Sequence, residues 1–474
     1  MSTPMYRTLP RARTAPTRRR LRAALSAAWC APFLWGALAC LPAAASRGAQ
    51  DRNPEDASAW TSHPLSLQET LELAFKNNAD ILQARDELEA NYGVSMQIRS
   101  VALPQLKASG DFTGYNASNI QALQVPLPAA THRWVASVRI EQSIYEGGRL
   151  RSSIKAASLT KQQAVARYQA TVADKVFDVR TAYFDVLLAE VQQDEQQSAW
   201  NLVNQRHDEM KTRLGTGLVE RYDLLHSEVL LASGHSRLLR GQTQLRLAKA
   251  KLVQLMGFSV PARLWDSMPL KLSDPLESPP PYSIELQDAM EQALQNRPEI
   301  EAQAKSVPLA HEHLTDARSG YKPSVKVLAG YGGFNDDLDR DIHGWFGGAQ
   351  VNWNIFDGLE SQGKVREAQA RLDAAETGLR DLKRSVELEV QNAYSNFIEA
   401  KELLATQGNV QTMTEEGARL ANSRFHQGDL TRLEVLSAEN DLTEARLTTS
   451  QTLRDYHVAL AGLQRAIGIP VESK

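Results

Sequence analysis

The sequence repeats itself, and this internal duplication constrains the fold more than any other feature. The segment LQETL at 67–71 recurs as LQDAM at 286–290, and Pro104 recurs as Pro323, both 219 residues later. Farther along, Tyr183 matches Tyr394 and Gly257 matches Gly468, now 211 residues later. A register held over so long a stretch predicts two equivalent halves that differ mainly in one loop, between Pro104 and Tyr183.

Each half also contains a run of about 65 residues without proline, at 148–213 and 359–424. At about 1.5 Å per residue, such a run predicts a helix roughly 100 Å long. A shorter proline-free segment, 67–101, is predicted to be helical as well. Each half is therefore predicted as a helix, a hairpin, a very long helix and a further helix.

Apolar residues in these helices recur at alternating steps of three and four, which is typical of a coiled-coil seam. The seams comprise Val172, Val176, Val179, Tyr183 and Val186; Leu225, Val229 and Ala232; and Val386, Val390, Ala393, Phe397 and Ala400. The other faces carry mostly Gln, Glu, Arg, Lys and Ala. This pattern fits the wall of a water-filled tube, and an ordinary long coiled coil has the same spacing.

Four short segments alternate between apolar and polar residues, as half-buried strands do. They are 104–116, 133–146, 323–335 and 345–356. Aromatic residues lie near their ends or on the apolar face, as in membrane strands: Trp134, Tyr145, Trp345, Trp353 and Phe356. A small antiparallel sheet in a water-soluble protein would alternate in the same way.

The number of strands matters because hydrocarbon tolerates no unpaired backbone hydrogen-bonding groups, and so excludes open sheet edges. The smallest membrane barrels have about eight strands, so a four-stranded subunit must share its barrel with copies of itself. Two copies give eight strands and three give twelve. Side chains fill the lumen of an eight-stranded barrel, whereas a larger barrel can conduct. If the protein is a conduit, three is therefore the smallest sensible number of copies.

The first fifty residues have the order of a secretory signal peptide. Six arginines between 11 and 22 precede an apolar stretch at 23–41, and the alanines at 43–45 offer a cleavage site. The segment 17–21 also resembles a twin-arginine pattern. Cleavage near Ala45 would remove both cysteines, Cys30 and Cys40. Alternatively, Ala37-Leu38-Ala39-Cys40 resembles a lipoprotein cleavage box, which would leave Cys40 as a lipidated N-terminus.

These features divide the chain into five parts. Residues 1–45 are the signal peptide and 46–64 an N-terminal extension. The first repeat spans 65–257 and the second 284–470. Between them, 258–283 contains six prolines, a density that marks a linker or an irregular surface segment.

Several classes of function find no support in the sequence. The net charge of −3 shows no basic excess for nucleic acid. The mean hydropathy is −0.38, and past residue 50 no apolar run approaches the ~20 residues of a membrane helix. The ten histidines are scattered, and no phosphate-binding Gly-x-x-x-x-Gly-Lys-Ser/Thr loop occurs. We therefore expect no enzyme activity, no cofactor and no metal site.

Over residues 65–470, the order of these doubled elements resembles the TolC family of outer-membrane channels. The motifs that carry the resemblance are LQETL at 67–71, the strand-to-helix turns YEGGR at 145–149 and FDG at 356–358, and the helix tips GLV at 217–219 and GDL at 428–430. The resemblance implies a mainly α fold with a small β part. It also implies a homotrimer with a 12-stranded barrel in the outer membrane and a long α-helical barrel in the periplasm.

A protein of this family is the exit duct of a tripartite efflux or type I secretion system. It is a passive conduit, coupled to an inner-membrane transporter through a periplasmic adaptor protein, and the same duct serves drugs, metals and proteins. The alternative is a structural periplasmic coiled-coil protein that does not insert in the membrane. The four strand segments favour the channel, since a pure coiled coil has no need of them.

The resemblance also implies roles for residues at the helix tips. Adaptor hairpins would dock at Arg213, Gly217, Leu218, Val219, Arg424, Gly428, Asp429 and Leu430. The pore constriction would involve Glu434, Ser437 and Asp223. Three copies of Glu434 around a narrow axis would favour cations, and a solvated helix glutamate is the plain alternative. Phe425 and Leu430 stand where the family has a tyrosine and an arginine in its closed-state gate, so Phe425 cannot make that hydrogen bond.

Overall fold

The two halves of the chain contain the same elements in the same order. The computed structural model describes residues 58–114, 132–216, 219–277, 282–335 and 343–469, all within the unit Pro54–Lys474. After one helical turn at Ser58–Thr61, the first half forms α1 (Leu67–Asn77), α2 (Ala79–Ser100), β1 (Gln105–Gly114), β2 (His132–Glu146), α3 (Arg149–Gly215) and α4 (Arg221–Leu255). The second half forms α5 (Leu286–Asn296), α6 (Pro298–Ser319), β3 (Ser324–Asn335), β4 (His343–Asn352), α7 (Glu360–Gln427) and α8 (Arg432–Ile467).

The element boundaries confirm the internal repeat. The starts of α1, α2 and β1 precede those of α5, α6 and β3 by 219 residues, and the starts of β2, α3 and α4 precede those of β4, α7 and α8 by 211. The offset changes between β1 and β2. The very long helices are confirmed too, because α3 has 67 residues and α7 has 68.

The segment 67–101 is not one helix, as the sequence predicted, but two. Asn78 has extended backbone angles and caps α2, because its Oδ1 accepts hydrogen bonds from the N–H groups of Asp80 (2.9 Å) and Ile81 (3.2 Å). Its Nδ2 donates to the carbonyl of Leu255 at the end of α4 (2.7 Å). Short polar side chains bond to the backbone in this way at helix starts, which makes a break at Asn78 favourable.

The sheet confirms the predicted strands and aligns their apolar faces. The strand order is β1-β2-β3-β4, all antiparallel. Leu106 pairs with Ile140, which pairs with Ala329, which pairs with Gly347. Directly opposed residues lie on the same face of a sheet, so the apolar series of all four strands share one face.

The fourth strand ends earlier than the sequence predicted. β4 stops at Asn352, whereas alternation continues through Trp353 and Ile355. The reason is that Asn352 pairs with Ser324, the first residue of β3, so the residues after Asn352 have no partner strand in the described part of the chain.

The seams of the long helices are buried as predicted, while the seam of α4 is not. Val176, Val179, Tyr183 and Val186 of α3 are at most 4% exposed. In α7, the seam residues Val386, Val390, Phe397 and Ala400 are buried as well. In contrast, Leu225 and Val229 of α4 are 50% and 65% exposed. The physical reason is that α4 buries another stripe, comprising Gly234, Leu238 and Gly241.

The helices pack into a layer that is four helices wide. Next to the sheet the order is α2-α3-α6-α7, which follows the strand order because each strand is joined directly to its helix. Farther from the sheet the order is α4-α3-α8-α7. The long helices α3 and α7 run through both levels. One side edge of the chain therefore consists of β1, α2 and α4, and the other consists of β4 and α7.

In each repeat two shorter helices meet end to end beside the long helix. These are α2 with α4 in the first repeat and α6 with α8 in the second, and ion pairs stabilise the junction of α6 with α8. Arg297, which is 4% exposed, precedes α6 and donates from Nη1 to Oε2 of Glu389 (2.6 Å). Arg465 near the end of α8 donates to the other oxygen of Glu389 (2.8 Å) and to Asp174 of α3 (2.6 Å). Burial alone would lower the pKa of Arg297, but its hydrogen bonds to Glu389 and Glu299 outweigh burial and raise it.

Candidate functional site at the helix-to-helix turns

The residues singled out from the sequence cluster at two turns. The first turn joins α3 to α4 and the second turn, 428–431, joins α7 to α8. Gly217 and Leu218 of the first turn, and Cys40, lie outside the described residues. Arg213 is exposed in the last turn of α3, and Val219 is half-buried just before α4.

The second turn reverses the chain through a left-handed glycine. Gly428 ends α7 with φ 84°, and its N–H donates to the carbonyl of Phe425 (3.0 Å). The N–H of Asp429 donates to the carbonyl of Arg424 (3.0 Å). Glycine reaches this backbone region without the steric cost that a Cβ brings. Leu430 is half-buried, whereas Arg424, Phe425 and Asp429 are exposed.

Two acidic residues predicted for the constriction occupy equivalent positions, three residues after the cap of the following helix. Glu434 Oε2 accepts from the N–H of Thr431 (2.7 Å) and from its hydroxyl (2.8 Å), and Thr431 Oγ1 in turn accepts from the N–H of Glu434. In the first turn, Asp223 accepts from the N–H of Glu220 (3.2 Å). Both are capping boxes, which satisfy N–H groups that a helix start leaves unpaired.

Glu434 remains a charged group despite this local role. Hydrogen bonds from the N–H and hydroxyl of Thr431 lower its pKa below the ordinary value, because they favour the ionised form. The carboxylate is exposed, and Ser437 is exposed one helical turn later. Position 434 therefore presents a fixed negative charge at the start of α8.

The structure adds contacts near the turns that the sequence did not predict. Arg206 of α3 forms an ion pair with Glu439 of α8 (2.6 Å), and both side chains are 26% exposed. Farther from the turns, Arg454 of α8 pairs with Asp185 of α3. These pairs fasten the first repeat to the second. Glu439 does match Glu228 in the repeat register, but nothing in the sequence indicates a partner 233 residues away.

In the described part of the chain, we find neither a group of side chains suited to a metal ion nor a helix able to cross a membrane. No three His, Cys, Asp or Glu side chains within it come together in an arrangement that could hold a metal ion. No helix within it is long and apolar enough to cross a membrane.

Comparison with known proteins gives consistent matches over most of the chain. The family model described as outer membrane efflux protein matches residues 70–258 and 289–469. The outer membrane protein TolC of Vibrio cholerae is 22% identical over 413 residues, covering 85% of this chain and 90% of that protein. The cobalt-zinc-cadmium resistance protein CzcC of Cupriavidus metallidurans is 23% identical over 416 residues, with the same coverage of each chain.

Solved structures share the fold. The outer membrane channel CmeC of Campylobacter jejuni matches with a TM-score of 0.74 at 16% identity, covering 85% of each chain. The outer membrane protein VceC of Vibrio cholerae matches with a TM-score of 0.71 at 18% identity, covering 85% of this chain and 96% of that one.

Proposed function

Because the chain belongs to the outer membrane efflux protein family, we propose that three copies of it join edge to edge into one duct across the outer membrane and periplasm. The family is one of outer-membrane efflux channels rather than enzymes. The duct supplies no energy of its own. It receives cargo from an inner-membrane transporter through a periplasmic adaptor, as the tripartite character of such systems requires.

The single observation that carries this proposal is the matching order of strands and helices. β1 and β4 are the outer strands of the sheet, and the helical layer below ends in α2 and α4 on the β1 side and in α7 on the β4 side. Both layers thus present their open edges on the same two sides. A head-to-tail contact between unlike edges closes into a ring when the rotation allows it.

Exposed apolar side chains along both helical edges support the same contact. On α4, the residues Tyr222, Leu225, Val229, Leu239 and Leu247 are 50–73% exposed, at spacings close to a heptad repeat. On α7, the exposed residues include Leu403, Val410, Met413 and Leu420. Two such stripes on one chain form a coiled-coil seam when α4 of one copy meets α7 of the next.

The sheet supports three as the number of copies. Four strands from each of three copies give twelve, which is wide enough for a lumen, whereas eight strands enclose only side chains. The apolar face of the sheet carries exposed residues such as Leu106, Phe112, Trp345 and Val351. We assign this face to the lipid of the outer membrane.

At the far end of the helices, the two turns are proposed to form the tip that meets the adaptor. The exposed side chains there are Arg213, Arg424 and Asp429, beside the half-buried Val219 and Leu430. The pore constriction is proposed to be lined by Glu434, Ser437 and Asp223 from each copy. The fixed charge of Glu434 would then attract cations to the entrance.

Conductance across a planar bilayer tests this function. Purified protein should insert as channels that prefer cations under a KCl gradient, and Glu434→Gln should reduce that preference. Glu376→Gln is the matched control, because Glu376 is an exposed glutamate of α7 some 50 residues from the second turn. At roughly 75 Å, its charge lies far beyond the Debye length. Absence of channels would contradict the duct, and unchanged selectivity would contradict only the role of Glu434.

A further inference from the structure

The internal repeat supplies a template for the contact between copies. Within one chain, α8 of the second repeat packs on α3 of the first. The repeat register of 211 residues makes α4 equivalent to α8 and α7 equivalent to α3. Because equivalent sequences fold into equivalent elements, α4 and α7 should meet in the same way when they come from neighbouring copies.

Two side-chain contacts define which faces of α3 and α8 meet within a chain. Arg454 of α8 forms an ion pair with Asp185 of α3, in which the Nε atom lies 2.8 Å from Oδ1. One helical turn away, the ring of His457 on α8 stacks on the ring of Phe184, with centroids 4.1 Å apart. These contacts fix the register of the two antiparallel helices.

The equivalent positions on α4 and α7 are accessible in the single chain. Thr243 is equivalent to Arg454 and Asn396 is equivalent to Asp185, and both are exposed. Thr243 lies four residues from two members of the exposed apolar stripe on α4, and Asn396 lies seven residues from one member on α7. Such spacings put residues on one face of a helix. The two stripes therefore correspond to the faces by which α8 and α3 meet.

Charge complementarity occurs next to this pair of neutral residues. Arg246 of α4 is equivalent to His457, and Ser395 of α7 is equivalent to Phe184. Glu399 lies one helical turn beyond Ser395, on the same face of α7. Since an extended arginine side chain spans the ~5.4 Å of one turn, the repeat register brings Arg246 of one copy to Glu399 of the next.

Both members of this pair are available for a contact with another copy. The side chain of Arg246 is 30% exposed, and its Nη1 lies 3.4 Å from a carboxylate oxygen of Asp266, which is 93% exposed. An ion pair that open to water is weak and easily exchanged. Glu399 is exposed on α7, and its side chain has no hydrogen bond or ion pair within the described residues.

We propose that the copies join in the register of the internal repeat, so that Arg246 of one copy forms an ion pair with Glu399 of the next. The pairing rests on the proposed function, since it requires copies that meet at these two edges. It fixes which turn of α4 faces which turn of α7, a choice that two apolar stripes alone leave open.

Cross-linking in detergent tests the register. Thr243→Cys combined with Asn396→Cys, treated with a short bismaleimide, should give covalently joined chains on a denaturing gel. Ser236→Cys combined with Asn396→Cys is the matched control, because it moves one thiol along the same face of α4 by seven residues, about 10 Å. The control pair should give little joined product. Each cysteine variant alone shows what any other thiol contributes.

Light scattering on the same samples separates the register from the duct itself. If a species of three chains forms and the shifted pair cross-links as well as the predicted pair, the register is overturned and the duct stands. If the protein is a single chain in detergent, the duct is overturned and the register with it.

Charge reversal tests the ion pair. Glu399→Arg and Arg246→Glu should each lower the temperature at which the assembled copies dissociate, and the double variant should restore it. The controls are Glu376→Arg on α7 and Arg167→Glu on α3, which change exposed residues outside the two stripes and should have no effect. Even if a single variant fails to assemble, recovery in the double variant can be measured. Unchanged single variants, or a double variant without recovery, would overturn the ion pair.

Discussion

Two residues of the second turn act on the backbone in different ways. Gly428 lets the chain leave α7 through the left-handed region, and Thr431 starts α8 by exchanging hydrogen bonds with Glu434. The glutamate therefore has a local role whether or not it also lines a pore. Because that local role keeps it ionised, the cap and the proposed constriction are compatible.

Thr431→Ala should destabilise the protein at pH 7 by about 1 kcal/mol, because it removes the side-chain cap of α8. The pKa of Glu434 is lowered in the folded state, so its contribution is present above its unfolded pKa and is lost as the pH falls through the folded pKa. The difference in Tm between wild type and variant should therefore shrink between pH 5 and pH 3, as differential scanning calorimetry would show. A difference that stays constant over this range would contradict a contribution from the hydrogen bond that the Thr431 hydroxyl donates to Glu434, because the N–H of residue 431 still donates to Glu434 in the variant.

Gly428→Ala should destabilise the protein by about 1 kcal/mol, because φ 84° places a Cβ close to the following carbonyl. Apart from its chain neighbours and the adjoining helix backbone, no atom of the described residues lies within 4 Å of that Cβ, so the expected loss comes from backbone strain. Gly408→Ala is the matched control. It has equally open space but lies inside α7, where alanine should stabilise by up to ~1 kcal/mol. Thermal unfolding of both variants measures these changes in stability. If both variants were stabilised or both destabilised, the strain assigned to position 428 would be contradicted.

The junctions between the shorter helices differ in one respect between the two repeats. Acidic residues at equivalent positions are paired with different basic residues. In the second repeat Arg297 holds Glu299 and Glu389. The equivalent acids of the first repeat, Asp80 and Asp178, are held instead by Lys175 of α3 (2.8 and 3.1 Å). Asn78, at the position equivalent to Arg297, provides a neutral cap there.

Arg297→Ala should destabilise the protein by roughly 2–3 kcal/mol, because it leaves Glu299 and Glu389 without their buried partner. Breaking a fully buried pair costs about 3–5 kcal/mol, and Glu389 is 37% exposed, which reduces the effect. Arg371→Ala, which removes an exposed pair with Glu367 on α7, should cost less than ~0.5 kcal/mol. Denaturant unfolding of both variants compares them. Equal losses of unfolding free energy in the two variants would mean that the burial of Arg297 adds nothing to the strength of its ion pairs.

The sequence predicted those elements whose signal is local and repeated. Alternation at 106–112 was sufficient for a strand, and the absence of proline was sufficient for α3 and α7. The break at Asn78 was missed because the local cap on Asp80 and Ile81 competes with a helix-forming segment, and the contact with the carbonyl of Leu255 that adds to it lies 177 residues away. The ion pair between Arg206 and Glu439 was missed because its partners lie 233 residues apart. The exposed seam of α4 was predicted as an apolar stripe, but period alone does not say whether its partner lies in the same chain.

At the scale of the whole molecule, the chain has two incomplete sides. Within the described residues, β1 and β4 each have one side without a partner strand, and α4 and α7 carry apolar stripes on the same two sides. Lipid excludes the first feature and water disfavours the second. Both are removed at once when unlike edges of neighbouring copies meet.

The mass of the protein in detergent, measured by light scattering after size-exclusion chromatography, tests this closure most directly. The account predicts a single species that contains three chains. A monodisperse single chain, stable without detergent, would contradict it.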